Sequence, residues 1–299
     1  MSTGGAVYDR GYRPYEGTLG GRRASILALY RTSLRRAIGL RRPWRQKVAP
    51  FCLLAIAVVP AVVNVGVGYL TRGSPAEDFS FITYREYVGV SSALLLFVAL
   101  VAPDLLCPDR RQRVLPLIFA RPLTGADYAL AKVGAIFTCV FGFSFLPQVV
   151  LYVGQMLVSD GALDYLRHNT AVLWQVPVAC AILALFYAVL SVSVASLSGR
   201  RMVAGASILG VTLVTSSVAA IILESNVSGP GPNPGHPAAL LNILALPLYV
   251  RDLVFLGQPH RESDLSGVTG GGALAVAAYL VVVTTGVAVL LWRYRSAEL

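Results

Sequence analysis

Apolar and polar residues follow one another along this chain in long blocks. Six blocks reach the roughly 20 mostly apolar residues that a helix needs to cross a bilayer: residues 48–70, 87–106, 132–158, 171–198, 202–223 and 271–292. The pattern predicts an all-α polytopic membrane protein with six transmembrane helices. A further block, 240–257, is nearly as apolar but carries Pro247 and the adjacent Arg251 and Asp252. Either ion costs roughly 2.5–3.5 kcal/mol near the centre of a spanning helix. This block is therefore expected to be an external, re-entrant or interfacial element before the last span. Leu246, Val250, Leu253 and Val254 share one face, which suits a helix at the lipid boundary. The Gly/Pro-rich stretch 229–237 before it is expected to be irregular.

A different periodicity precedes the first span. Ile26, Leu29, Tyr30, Leu34, Ala37 and Ile38 recur at helical spacing, and Arg31, Arg35, Arg36, Arg41 and Arg42 crowd the other faces. This predicts an amphipathic helix within 22–47, lying in the membrane interface with its arginines at the lipid phosphates. Residues 1–21 hold few apolar side chains and are expected to form a mobile cytoplasmic tail. No cleavable signal is expected, because the first long apolar run starts near residue 48.

Composition agrees with a membrane domain. Of 299 residues, 56% are hydrophobic and 13% charged, with a mean hydropathy of +0.66. A soluble domain carries about 25% charge. Lys47 and Lys132 are the only lysines. The arginine, alanine and glycine bias matches a GC-rich bacterial genome and points to a bacterial inner membrane. The net charge is +10, but the arginines flank apolar blocks, which favours a topological use over nucleic-acid binding. With both termini cytoplasmic, 20 Lys/Arg fall inside and 5 outside, as the positive-inside rule requires.

Candidate chemistry is sparse. Cys52, Cys107, Cys139 and Cys180 form no C-x-x-C, and His168, His236 and His260 lack ligand spacing, so neither disulfides nor a metal site is expected. Asp104 and Asp109 admit a membrane-embedded enzyme of lipid or isoprenoid metabolism, but they form one pair without a second acidic cluster, and placement at helix termini explains both. A channel or an anchor subunit is a third possibility. Asn64, Gln148, Gln155 and Gln175 lie inside spans. They either line a substrate path or bond between helices, the commoner use. The fifth span is rich in small residues, with Ala206 and Gly210 spaced for close helix packing. That packing lies either within one subunit or across a dimer. The sequence has no G-x-x-x-x-G-K-S/T phosphate loop, so no nucleotide site is expected on this chain.

The loop between spans two and three carries the most specific signal. It reads APDLLCPDRRQRVLPLIFARPLTGADYALAK over residues 102–132. Pro108 and Asp109 suit the first turn of a short helix, and Pro116 is expected to kink or end it. Thr124 and Asp127 have capping-box spacing and should start the next helix. Residues 115–119, Arg121-Pro122, Thr124, Tyr128 and Lys132 match in order and spacing the corresponding loop of ABC-2-type ABC transporter permeases, and the chain resembles that family. Its elbow helix corresponds to residues 24–42 and its external re-entrant region to 238–258. The family's usual Glu-rich, Gly-Thr stretch is replaced here by Asp109-Arg110-Arg111-Gln112-Arg113.

The resemblance implies an export permease that dimerises, through spans one and five, with a second copy or a paralogue. It implies two separate ATPase subunits that carry ATP and magnesium, with no cofactor on this chain. Arg110, Arg111, Arg113, Leu115, Leu117, Phe119 and Arg121 are the implied coupling surface. The segment 108–119 is expected to be a rigid helix whose apolar side chains meet the ATPase.

Overall fold

The computed structural model describes residues 20–39, 44–71, 82–88, 91–120, 122–159, 161–225, 236–260 and 263–295. Most of the expected 1–21 tail, Arg41, Arg42, Arg121 and the 229–235 stretch lie outside them. The described chain is helical: α1 (Arg22–Ala37), α2 (Trp44–Leu70), α3 (Tyr84–Tyr87), α4 (Ser91–Arg111), α5 (Leu115–Phe119), α6 (Gly125–Val158), α7 (Ala162–His168), α8 (Thr170–Leu197), α9 (Arg201–Ser225), α10 (Leu246–Leu256) and α11 (Gly271–Arg295), with a 3-10 turn at Pro237–Leu241. Six helices among the described residues are long and apolar enough to cross a membrane: α2, α4, α6, α8, α9 and α11.

Burial separates them. In α4 and α8, 75% and 67% of the most apolar stretch is buried, against 17% in α2, α9 and α11. The two central helices thus form the core, with α6 and α9 packed on both. Small residues set the closest approaches. A Cβ at Gly205 of α9 would lie 2.9 Å from the Ala99 carbonyl of α4, and one at Gly286 of α11 would lie 2.6 Å from Val189 of α8. Gly210 differs: a Cβ there would meet nothing within 4 Å, and Ala206 is exposed. The Ala206–Gly210 pair therefore packs on no other helix among the described residues.

Several expectations are corrected. The amphipathic helix stops at Ala37, because Gly39 turns into the left-handed region, φ 79°. Residues 44–47 already belong to α2. Pro108 and Asp109 do not start a short helix; they sit in the last turns of α4, which runs on to Arg111. Pro116 does not end α5 but lies in its first turn, where the missing N–H is harmless. The 240–257 block gives an 11-residue α10, too short to span, and its Leu246, Val250, Arg251 and Asp252 are buried. Those side chains pack against protein, not at a lipid boundary.

Candidate functional site

Polar chemistry gathers at two ends of the bundle. At the first, α1, the end of α4 and the start of α6 meet. Asp109 sits near the C-terminus of α4, where the helix dipole disfavours a negative charge, and it is buried. Burying a lone charge there would be prohibitive. Three donors resolve this: Lys132 Nζ at 2.6 Å, Arg36 Nη1 at 2.6 Å and Tyr128 Oη at 3.0 Å. Lys132, only 2% exposed, also donates to the Leu105 carbonyl at 3.0 Å. One carboxylate thus ties α1 and α6 to α4.

Neighbouring charges repeat the pattern. Thr124 and Asp127 form the expected capping box at the start of α6. Asp127 also accepts from Arg22 Nε at 2.8 Å and Nη2 at 2.9 Å. Asp104 pairs with Arg201 at the start of α9. Asp104 and Asp109 therefore do not cap helix starts, as the sequence allowed; both lie in the C-terminal half of α4 and are neutralised by cations. Arg110 turns inward to the Ser196 and Ser198 carbonyls, closing the open end of α8.

The turn from α4 into α5 passes through Arg113, a non-glycine residue at φ 51°. Leu115, Ile118 and Phe119 of α5 pack inward, with the Phe119 ring edge-on to Tyr128 at 6.2 Å. Tyr128 in turn packs on Tyr294 of α11, with ring centres 5.0 Å apart. Leu117 points away and is 71% exposed; Arg111 and Arg113 are exposed beside it. A cleft of about 260 Å³ separates α5 from α1, with Leu29 and Leu117 on its walls and Arg36, Asp109 and Lys132 lining it. The seven residues implied as a coupling surface therefore divide. Arg111, Arg113 and Leu117 face outward, Arg110, Leu115 and Phe119 hold the chain together, and Arg121 lies outside the described residues.

The opposite end is built from phenols and amides. The Tyr84 and Tyr165 hydroxyls lie 2.6 and 2.7 Å from Gln155 Oε1 and 2.6 Å from each other. Three oxygens share two protons here, so two of the three contacts are hydrogen bonds at any instant. Burial is the largest effect pushing the Tyr165 phenol above its ordinary value. Gln148 donates to the Tyr84 carbonyl at 3.2 Å. Ser144, Gln148 and Tyr152 line one face of α6, and each keeps a buried oxygen without a partner among the described residues. An apolar pocket of about 190 Å³ adjoins Gln148 and Tyr152, walled by Phe145, Val149, Val172 and Val176.

Of the four amides singled out in the sequence, Gln148 and Gln155 meet at this cluster. Asn64 donates to the Ile82 carbonyl and Gln175 to the Val254 carbonyl, both at 3.4 Å. Beside them Arg251 donates to Asp252 at 2.7 Å and to the Val88 carbonyl at 2.9 Å, and Arg85 lies 3.8 Å from Asp252. Sequence reasoning missed Arg36, the Asp109–Lys132 pair and the three tyrosines. The available signal was ionisable residues beside apolar spans, which call for a named partner. No group of three or more His, Cys, Asp or Glu side chains is placed to hold a metal ion among the described residues.

No protein-family model matches the chain, and no curated protein matches it significantly.

Proposed function

We propose that this chain is the membrane subunit of an ABC-2-type exporter, driven by separate ATPase subunits. The observation that carries this reading is the α4–α5–α6 corner. The five-residue α5 offers Leu117 outward, beside Arg111 at the end of α4 and Arg113 in the turn between them, and its other face rests on Tyr128. Through Tyr128 and Lys132 it is coupled to Asp109, and through Asp109 to α4 and α1. A push on α5 therefore reaches three helices at once. In this reading the basic end is cytoplasmic, α1 is the interfacial elbow, and α10 is the external re-entrant element. The ATP and magnesium sit on the partner. The uncovered Ala206–Gly210 face of α9, with the exposed face of α2, meets a second permease copy or a paralogue in the bacterial inner membrane. The Gln148–Gln155 end borders the substrate path. Neutralisation of Asp104 and Asp109 by separate cations weighs against the metal-assisted enzyme alternative.

The test is co-expression with whatever ATPase reading frame adjoins this gene. The two should co-purify, the complex should hydrolyse ATP, and the isolated chain should not. Hydrolysis by the isolated chain, free of contaminants, or the absence of any co-purifying ATPase would sink the reading.

A further inference from the structure

A second cleft at the basic end lies between the end of α4 and the start of α9, outside the α1–α5 corner. Its volume is about 1290 Å³, and Arg110, Arg111, Gln112, Arg200, Arg201 and Met202 are among its lining residues. No carboxylate lines it among the described residues. Two of the four arginines are already committed, Arg110 to the α8 carbonyls and Arg201 to Asp104. Arg111 and Arg200 are exposed, and neither guanidinium has a protein partner among the described residues. Two uncompensated guanidinium groups facing one open cleft recognise an anion. Their planar forks match the oxygens of a phosphate ester.

The rim decides which kind of anion. Met202 is 86% exposed, and Leu197 and Val203 are exposed beside it. From there the outward side of α9 continues apolar through Val211, Val214 and Val218, all exposed. Arg111 and Arg200–Arg201 stand at the ends of apolar spans, the level at which lipid phosphates lie. A cationic cleft opening onto an apolar flank of a span suits an amphiphile with a negative head and a hydrocarbon tail. A soluble acidic partner would use the arginines and leave the flank of α9 unused.

We propose that the α4–α9 cleft binds the phosphodiester headgroup of an anionic phospholipid through Arg111 and Arg200. The acyl chains lie along the outward side of α9. The site needs only that these helices span a bilayer; because Arg111 also belongs to the surface proposed for the ATPase, lipid binding is measured on the chain purified without an ATPase, so its failure and that of the transporter reading are distinguishable.

Native mass spectrometry of the detergent-solubilised protein, titrated with phosphatidylglycerol and with phosphatidylcholine, tests this. The intact chain should retain phosphatidylglycerol in preference to phosphatidylcholine. Arg111→Gln with Arg200→Gln should lower phosphatidylglycerol retention at least about tenfold, since charge-assisted bonds are removed. Arg111→Lys with Arg200→Lys should restore part of it. A control removing two exposed arginines away from the cleft and from α1, Arg167→Gln with Arg295→Gln, should leave retention within about twofold of wild type. Equal retention of the two lipids, or equal loss in the control, would reduce the cleft to general basicity and overturn the proposal. Glycerol 3-phosphate competing as well as the lipid would show a site for free phosphate and overturn the lipid assignment. If the double glutamine variant keeps its lipid but loses a co-purifying protein, the cleft is a protein contact instead.

Discussion

The two ends of the bundle solve the same problem with opposite chemistry. Both must satisfy polar groups where helices leave an apolar interior. The basic end uses full charges, with Asp109, Asp127 and Asp104 each held by cations from another helix. The amide end relies mainly on neutral groups, with Tyr84, Tyr165 and Gln155 sharing two protons among three oxygens. A buried ion pair is unforgiving, because losing one partner strands the other. A phenol–amide cluster can exchange partners at a cost near that of a single hydrogen bond. The comparison teaches that this molecule is fastened at one end and adjustable at the other.

The comparison can be broken in four ways. The largest effect is all-or-none. Cysteines replacing Ser159 or Ser263 in a cysteine-free background should react with an impermeant thiol reagent added to intact cells, whereas one replacing Ser198 should not. Labelling of Ser198→Cys alone would reverse the orientation of the two ends. Next in size is Lys132→Ala, expected to lower unfolding stability in detergent by roughly 3–5 kcal/mol, because Asp109 keeps only the half-exposed Arg36 as a charge partner. The pair Asp109→Leu with Lys132→Met should recover most of that loss. No recovery would mean that the charges carry more than their mutual neutralisation.

A smaller contrast separates the two sides of α5. Phe119→Ala, on the packed side, should cost about 1–3 kcal/mol of stability. Leu117→Ser should leave stability within about 0.5 kcal/mol and weaken ATPase association about tenfold. Co-purification of the ATPase unaffected by Leu117→Ser would move that contact elsewhere. The smallest effect is Tyr165→Phe, expected to cost about 0.5–1.5 kcal/mol in thermal unfolding. A loss above about 3 kcal/mol would show the phenol end to be as rigid as the charged one.

Much of this architecture was legible in the sequence, because membrane spans are written in local composition. The six apolar blocks became six long helices, and the Thr124–Asp127 spacing became a capping box. The helical periodicity of α1 is also present, but its Leu29, Tyr30 and Leu34 pack toward the protein core, which the expectation of an interfacial helix did not include. What failed was local reasoning about prolines. Pro108 reads locally as a helix start, yet α4 simply carries it and Pro103 within its length. Neighbouring helices can satisfy the carbonyls that a proline frees inside a membrane bundle. The charged clamp was illegible for another reason: Arg36 and Asp109 are 73 residues apart, and no local pattern links them. The sequence showed a carboxylate at a membrane boundary; only the packed helices show which cations answer it. The tyrosine cluster was missed similarly, since Tyr84 and Tyr165 stand on α3 and α7, helices of 4 and 7 residues that no periodicity announces.

The pairing of α1 with α4 and α6 also has a meaning in time. Arg22 is synthesised 105 residues before Asp127, and Arg36 73 residues before Asp109. At about 5–20 residues per second, α1 exists for roughly 4–20 s before both carboxylates have been made. During that interval its docking face has nowhere to go. The first described helix therefore waits for the third span, and its docking marks the moment at which the start of that span has been delivered.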